Sequence, residues 1–277
     1  MPSIAHARRC ARLRAHSAVI LVGASGGIGS ATARAFARTG ANLLLAAPES
    51  ERPRLDTLVS DAQCSGVQAV ATAVDLSDRA SIDRLIETAM ATYGRIDVLV
   101  NVAGIGSSPS LCDSTDEEIE RVLDVNLLGC ARLMHAVLPV MKAQRGGSII
   151  NVGSIAGEAG VMGVYSASKF GMRGLSDSVR REVRADGVRV TLIEPGFVRT
   201  PMNAAMGDGL PGPEVVADAI VDAVDHPRRV RIVPKRYLLP VAIARAFPGL
   251  LDAVFGHPRI QARLNRDARA DRARDPR

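Results

Sequence analysis

The chain has 277 residues, enough for one large α/β domain with a substantial buried core. It is 47% hydrophobic but only 3% aromatic, so its core must be built of Ala, Val, Leu and Ile, which suits a buried parallel sheet. The formal charge of +6 lies largely at the ends, in Arg8, Arg9, Arg12 and Arg14 and in the run from Arg259 to Arg277. No aromatic stacking platforms interleave with these arginines, which argues against nucleic-acid binding.

Residues 1–16 read as a basic N-terminal arm. The apolar run Ala18–Val22 is too short for a signal-peptide core and reads as a first strand leading into a glycine turn. A helix is expected over Ser30–Thr39, stopped by Gly40, then a second strand at Asn42–Ala47. A helical stretch around Leu55–Ser65 precedes strand three, Gln68–Val74. Asp78–Tyr93 carries Ile82, Leu85, Ile86, Ala89 and Met90 at helical spacing. Asp97–Val102 is strand four. Thr115–Gln144 reads as one long helix whose first turn holds Asp116, Glu117 and Glu118, where acids favour the helix dipole. Ser148–Val152 is strand five, Tyr165–Ala185 a helix and Arg189–Ile193 strand six. Glu214–Val224 is helical and Val230–Val233 a seventh strand. The alternation implies β-α-β crossovers and one α/β domain with a parallel sheet, over residues 17–235. Met206–Pro213 reads as a mobile loop, and residues 236–277 as an apolar segment with a basic tail. Cys10, Cys64, Cys112 and Cys130 form no C-x-x-C pair and the five histidines do not cluster, so no metal site is expected and a reducing cytoplasm fits. No stretch reads as a plain membrane span.

Gly23-Ala-Ser-Gly-Gly27-Ile-Gly29 follows a strand and opens a helix. Such glycines let the backbone approach a pyrophosphate, whose charge meets the free N–H groups of the helix start. Tyr165 and Lys169 lie four apart and share a helix face. The ammonium would favour the tyrosinate, lowering a phenol pKa that is ordinarily about 10. A phenol tuned in this way passes a proton near neutral pH. Ser154, eleven residues earlier, could hold the same substrate oxygen.

Taken in order, Gly23-x-x-x-Gly27-x-Gly29, Asn101-Val-Ala-Gly104, Asn126, Ser154, Tyr165-x-x-x-Lys169 and Pro195-Gly196 resemble the short-chain dehydrogenase/reductase family. The similarity spans roughly Ala18 to Met202. It implies a single Rossmann-type, doubly wound parallel sheet of about seven strands with helices on both faces. It also implies nicotinamide-dependent hydride transfer at an alcohol or ketone, in a homodimer or homotetramer built on the two long helices. By that resemblance Tyr165 is the general acid/base, Lys169 tunes it and holds the nicotinamide ribose, Ser154 polarises the substrate oxygen, and Asn126 anchors a relay water. Gly23, Ser25, Gly27, Ile28 and Gly29 cradle the pyrophosphate. Asp75, with Leu76 beside it, contacts the adenine, while Asn101, Ala103 and Gly104 line the cofactor. Pro195, Gly196, Val198 and Thr200 close over the nicotinamide carboxamide and pyrophosphate. Val22 and Val102 depart from the family's usual Thr and Asn, and the Ser154–Tyr165 loop is about two residues shorter than the commonest spacing. The short loop borders the substrate.

Ala47, at the end of the second strand, stands where NAD-preferring relatives carry Asp. Pro48 stands where NADP-preferring ones often carry Arg. Arg52 and Arg54 could reach a 2′-phosphate, whereas Glu49 and Glu51 oppose it, and the balance favours NADP(H) over NAD(H). Met202, Met206 and Leu210 give the loop after Pro195 an apolar, adaptable lining. The apolar stretch Tyr237–Phe255 is interrupted by Pro240, Arg245, Pro248 and Asp252. It could be a lid over a lipophilic substrate, an interfacial membrane contact, a subunit contact or ordinary packing. A lipophilic alcohol or ketone is the expected substrate. The alternatives are a 3-oxoacyl-thioester reductase and a cofactor-binding regulatory protein without turnover.

Overall fold

The computed structural model describes residues 13–108, 110–206, 209–260 and 262, without the side chains of residues 204–206. The expectations on Arg8, Arg9, Arg12, Cys10 and Met206, and on the tail arginines beyond 262, lie outside the described residues.

Aliphatic runs without polar interruption form strands that can be buried on both faces. Seven of them, β1 (Ala18–Val22), β2 (Asn42–Ala47), β3 (Ala69–Ala73), β4 (Val98–Asn101), β5 (Gly147–Val152), β6 (Val188–Pro195) and β7 (Val230–Val233), make one parallel sheet. The order is β3-β2-β1-β4-β5-β6-β7. Chain direction across the sheet therefore reverses between β1 and β4, and a crevice opens there beyond the strand ends.

Successive strand residues point to opposite faces. On one face Val19, Leu21, Leu43 and Leu45 meet Phe36 of α1 (Gly27–Ala37), Leu55 of α2 (Arg52–Cys64) and Ile220 of α8 (Glu214–Asp225). On the other, Ile20, Val22, Leu44 and Leu99 meet Leu85 of α3 (Arg79–Tyr93), Leu133 and Val137 of α5 (Gly129–Gln144), and Met172 of α7 (Gly163–Glu182). The doubly wound architecture is the one expected.

The single helix expected over Thr115–Gln144 is in fact three pieces. Thr115 caps α4 (Asp116–Leu123) by accepting from the Glu118 N–H at 3.2 Å. A π turn, Asp124–Leu128, then widens the rod before α5 continues it. Together these pieces are long and apolar enough to cross a membrane. Leu133, Val137 and Met141 are instead packed into the core.

Two further differences lie at the ends. Leu13, expected in a loose arm, donates its N–H to Asp225 at 2.7 Å and packs against the first core layer. The apolar stretch Tyr237–Phe255 forms α9 (Leu238–Ala246) and α10 (Pro248–Phe255). They break at Phe247, because the residue before a proline disfavours the helical conformation.

Phe36 is fully buried between α1, the sheet and α8. Phe36→Ala should lower the unfolding free energy by about 3–5 kcal/mol in urea titration, the usual range for an emptied aromatic site. A change within about 0.5 kcal/mol, as at a surface position, would contradict this packing.

Candidate active site

The glycine turn after β1 is held by backbone alone. Gly23 adopts φ +88°, and a Cβ built on it would lie 2.5 Å from the Ala103 nitrogen. A Cβ on Gly29 would lie 2.0 Å from the Gly23 carbonyl oxygen. On Gly27 it would meet Thr200 Cγ2 at 2.9 Å, so the segment after β6 folds back onto the turn. The α1 N-cap is Gly26, which offers no side-chain cap to the first-turn N–H groups. Those groups are the usual docking point for a phosphate. Ser25 lies half-buried in the same turn, and Ile28 packs partly into the core. The uncapped N–H groups fit a dinucleotide pyrophosphate, and a side chain at Gly23 or Gly29 would clash with the backbone that shapes the turn.

Asp75 lies exposed past the end of β3, accepting from the Ser77 N–H and hydroxyl at 2.9 and 2.7 Å, bonds that hold its carboxyl below the usual range. Leu76 is buried against Gly129. Asn101 turns its side chain into the sheet and donates to Asn151 at 2.8 Å, while Ala103 donates its N–H to the Val22 carbonyl at 3.0 Å. Pro195 ends β6, and Val198 is in the core. Gly196 supports the ring of Tyr237, where an added Cβ would come within 2.2 Å.

Ser154, Tyr165, Lys169 and Asn126 converge beyond the ends of β4 and β5. Asn126 sits in the π turn with no solvent exposure. Its Oδ1 accepts from the Ile105 N–H at 2.8 Å, and its Nδ2 donates to the Ile105 carbonyl at 2.9 Å and to Ser168 Oγ at 3.1 Å. Gly104 lies between this amide and the lysine: a Cβ there would be 3.2 Å from Lys169 Nζ and 3.3 Å from Asn126 Oδ1. Lys169 Nζ donates to the Val152 carbonyl at 3.3 Å and lies 5.5 Å from the centre of the Tyr165 ring. Ser154 accepts from the Ala156 N–H at 3.1 Å, and its hydroxyl lies close enough to the Tyr165 phenol to lower the phenol pKa.

The electrostatics differ from the simple expectation. Burial pushes the Tyr165 phenol above its usual value, with the Ser154 hydrogen bond opposing the shift. Burial also pulls Lys169 down to about 8, against the attraction of Cys130. The ammonium points at a carbonyl rather than at the phenol oxygen, so in the polypeptide alone it does not lower the tyrosine. Both groups are shifted towards neutrality by the same desolvation.

Several neighbours of the site carried no signal in the sequence motifs. Ser107 accepts from the Tyr165 N–H at 3.1 Å and ties the loop after β4 to the start of α7. Glu158, in the short helix α6 (Ala156–Ala159), pairs with both Arg173 of α7 and Arg245 of α9. Glu194 of β6 lies 3.5 Å from Arg173, has a buried Oε2 without a partner, and is raised by burial to about 7. An arginine inside an apolar stretch, Arg245, was the one legible hint that a buried acid awaited it.

A glycine cradle at the switch point of a parallel sheet, with a Ser–Tyr–Lys cluster beside it, defines a nicotinamide-dependent oxidoreductase of Rossmann type. The family model described as short chain dehydrogenase matches residues 17–210. A 3-oxoacyl-[acyl-carrier-protein] reductase, FabG, of Thermotoga maritima is 37% identical over 185 residues, covering 66% of this chain and 74% of the relative. The oxidoreductase YxnA of Bacillus subtilis is 32% identical over 253 residues, covering 84% of this chain and 70% of that one. A short-chain dehydrogenase/reductase of Burkholderia phymatum, solved in complex with NAD, superposes with a TM-score of 0.77 at 24% identity over 85% of this chain and 95% of that one. The chain belongs to the short-chain dehydrogenase family and is an oxidoreductase.

Lys169 supplies a test of the site's electrostatics. Its pKa falls from 10.5 in an open chain to about 8 in the fold. Between those values the unfolded chain holds more protons than the folded one, so this residue makes stability rise with pH across that window. Cys130, raised by burial to about 12, pulls the other way over part of that window, so Lys169→Met should show as a less positive slope of stability against pH than wild type when urea unfolding is compared between pH 8 and 10.5. Parallel wild-type and variant curves would refute a lowered lysine pKa.

Proposed function

We propose that the protein interconverts a lipophilic secondary alcohol and its ketone, with Tyr165 as general acid/base. The observation that carries this reading is the Tyr165 phenol with Ser154 beside it and the buried Lys169 Nζ 5.5 Å from its ring centre, at the strand ends next to the glycine cradle. Ser154 and Tyr165 hold the substrate oxygen, and the phenol gives or takes its proton. The bound dinucleotide supplies or accepts the hydride. Lys169 holds the nicotinamide ribose and favours the tyrosinate once its ammonium is drawn towards the site. Asn126 anchors the water through which the proton leaves past Lys169. Gly23, Ser25, Gly27, Ile28, Gly29, Asp75, Leu76, Asn101, Ala103, Gly104, Pro195, Gly196, Val198 and Thr200 form the dinucleotide site, several of them, including Asn101, Leu76 and Val198, by shaping its walls from the core. Tyr237, edge-on to Phe197 at 6.4 Å, and the exposed Met202 give the substrate side an apolar character.

NADP(H) is the proposed cofactor. Ala47 is buried at the end of β2 and offers no carboxylate to repel a 2′-phosphate. Arg52 and Arg54 make exposed pairs with Asp56 and Glu51 at 2.8 and 2.9 Å. Pairs of this kind contribute little and can give way to a phosphate. We also propose a homodimer or homotetramer built on α4–α5 and α7, where Leu128 and Phe170 are 44% and 45% exposed. A cytoplasmic location is supported by Cys64, Cys112 and Cys130, all unpaired thiols.

A second substrate reading comes from the Thermotoga relative, which is named for reduction of 3-oxoacyl groups on a carrier protein. Nicotinamide absorbance over a panel of ketones, alcohols and 3-oxoacyl thioesters separates the two. Turnover confined to thioesters would replace the proposed substrate, and no turnover on any of them would overturn both substrate readings.

Tyr165→Phe should lower kcat by about 10²–10⁴-fold, the usual worth of a positioned acid/base. Cofactor affinity should be nearly unchanged, because only the phenol oxygen is lost. Near-wild-type turnover would dismiss the assignment.

Wild type should show the higher kcat/KM with NADP(H), and Ala47→Asp should move the preference towards NAD(H) through charge repulsion against the phosphate. A clear wild-type preference for NAD(H) would overturn the cofactor proposal.

A further inference from the structure

The last two helices expose large apolar side chains that the catalytic reading does not use. Leu239 is 69% exposed, Phe247 64% and Leu250 52%, with Leu238, Ile243 and Val254 around them. α9 buries only Val241 and Ala244, and α10 buries nothing. The two arms meet at a bend of 101°. With nine and eight residues, each arm is far shorter than the roughly 20 residues a membrane-spanning helix needs.

The charge of the segment that forms this elbow is mostly positive. Residues 235–260 contain Lys235, Arg236, Arg245 and Arg259 against a single acid, Asp252. Residues 261–277 add six arginines and three aspartates, with Leu264 as their one large apolar residue. Such a tail is poorly suited to cover an apolar face. A second copy is poorly suited too, since pairing two such surfaces would gather the cations of both copies with only one acid from each.

We propose that the α9–α10 elbow is a docking surface for an anionic lipid bilayer. Its apolar side chains enter the boundary between headgroups and acyl chains, while Lys235, Arg236 and Arg259 meet the lipid anions. The elbow is fixed to the site it serves. Arg245 of α9 pairs with Glu158, four residues beyond Ser154, and the Tyr237 ring lies on Gly196. Docking therefore holds the catalytic segment close to the membrane, where a lipophilic substrate partitions; that consequence, though not the docking, rests on the proposed substrate class.

The test is co-sedimentation of the full-length protein with vesicles, which needs no turnover. The probes are vesicles of phosphatidylcholine alone and of phosphatidylcholine with one part in four phosphatidylglycerol. Wild type should bind the anionic vesicles about a hundredfold more tightly, since each of the three basic residues near such a surface is worth about fivefold. Lys235→Gln/Arg236→Gln should weaken that binding about twenty-fivefold by the same arithmetic. Leu239→Gln/Phe247→Gln/Leu250→Gln should abolish it while the far-UV circular dichroism matches wild type. Equal binding to both vesicles, binding to neither, or either variant binding as wild type does would overturn the proposal. A wild type that ignores vesicles but loses a subunit in light scattering when the three apolar residues are changed would assign the elbow to a second copy instead.

Discussion

The Asn126 side-chain amide makes three hydrogen bonds from a site with no solvent exposure, two to Ile105 and one to Ser168. Those bonds join the loop after β4, the α4–α5 rod and α7, which are the three pieces that frame the cluster. A buried amide left half satisfied would cost more than it contributes, so the three pieces are held in one arrangement. The π turn allows this geometry, because widening the rod by one residue per turn carries Asn126 towards Ile105 without breaking the helix. Gly104 lies between the amide and the lysine, where a Cβ would be tight against both, at 3.3 Å from Asn126 Oδ1 and 3.2 Å from Lys169 Nζ.

A second constraint lies on the far side of Ser154. Glu158 is nearly enclosed and is matched by two guanidinium groups, one from α7 and one from α9. A buried carboxylate with one partner removed is strongly destabilising, which is why such clusters specify an arrangement more than they add stability. Glu194 is the weak member. Its nearest cation is 3.5 Å away, one of its oxygens is unpartnered, and its pKa near 7 reflects the dominance of desolvation over the pull of Arg173 and Arg245. The cluster joins the segment carrying Ser154 to the C-terminal helices.

The parallel sheet was legible because its strands are uninterrupted aliphatic runs. Ala18–Val22, Asn42–Ala47 and Val230–Val233 form over the residues expected. The cluster of Asn126, Ser154, Tyr165 and Lys169 was legible because short motifs with fixed spacing carried it. The π turn was not. Asp124-Val-Asn-Leu has the composition of any helical turn, and the hydrogen bonds to Ile105 that accompany the widening are tertiary. The Glu158–Arg245 pair was equally hidden, since 87 residues separate its members. The phenol–lysine relation was read with the wrong emphasis. Sharing a helix face puts Tyr165 and Lys169 near one another, but spacing says nothing about the Val152 carbonyl that receives the ammonium.

That carbonyl also bears on how the site works. Burial lowers the Lys169 pKa to about 8, so the ammonium is disfavoured relative to that of an exposed lysine. In the proposed site, the anionic dinucleotide would change this balance wherever its charge came near Lys169, because an anion nearby favours the ammonium and raises the lysine pKa. A charged Lys169 would in turn favour the tyrosinate. On that proposal, cofactor binding and acid/base competence would be coupled through one buried side chain. The coupling is reciprocal, so whatever the anion contributes to charging Lys169, the charged Lys169 contributes to holding the anion.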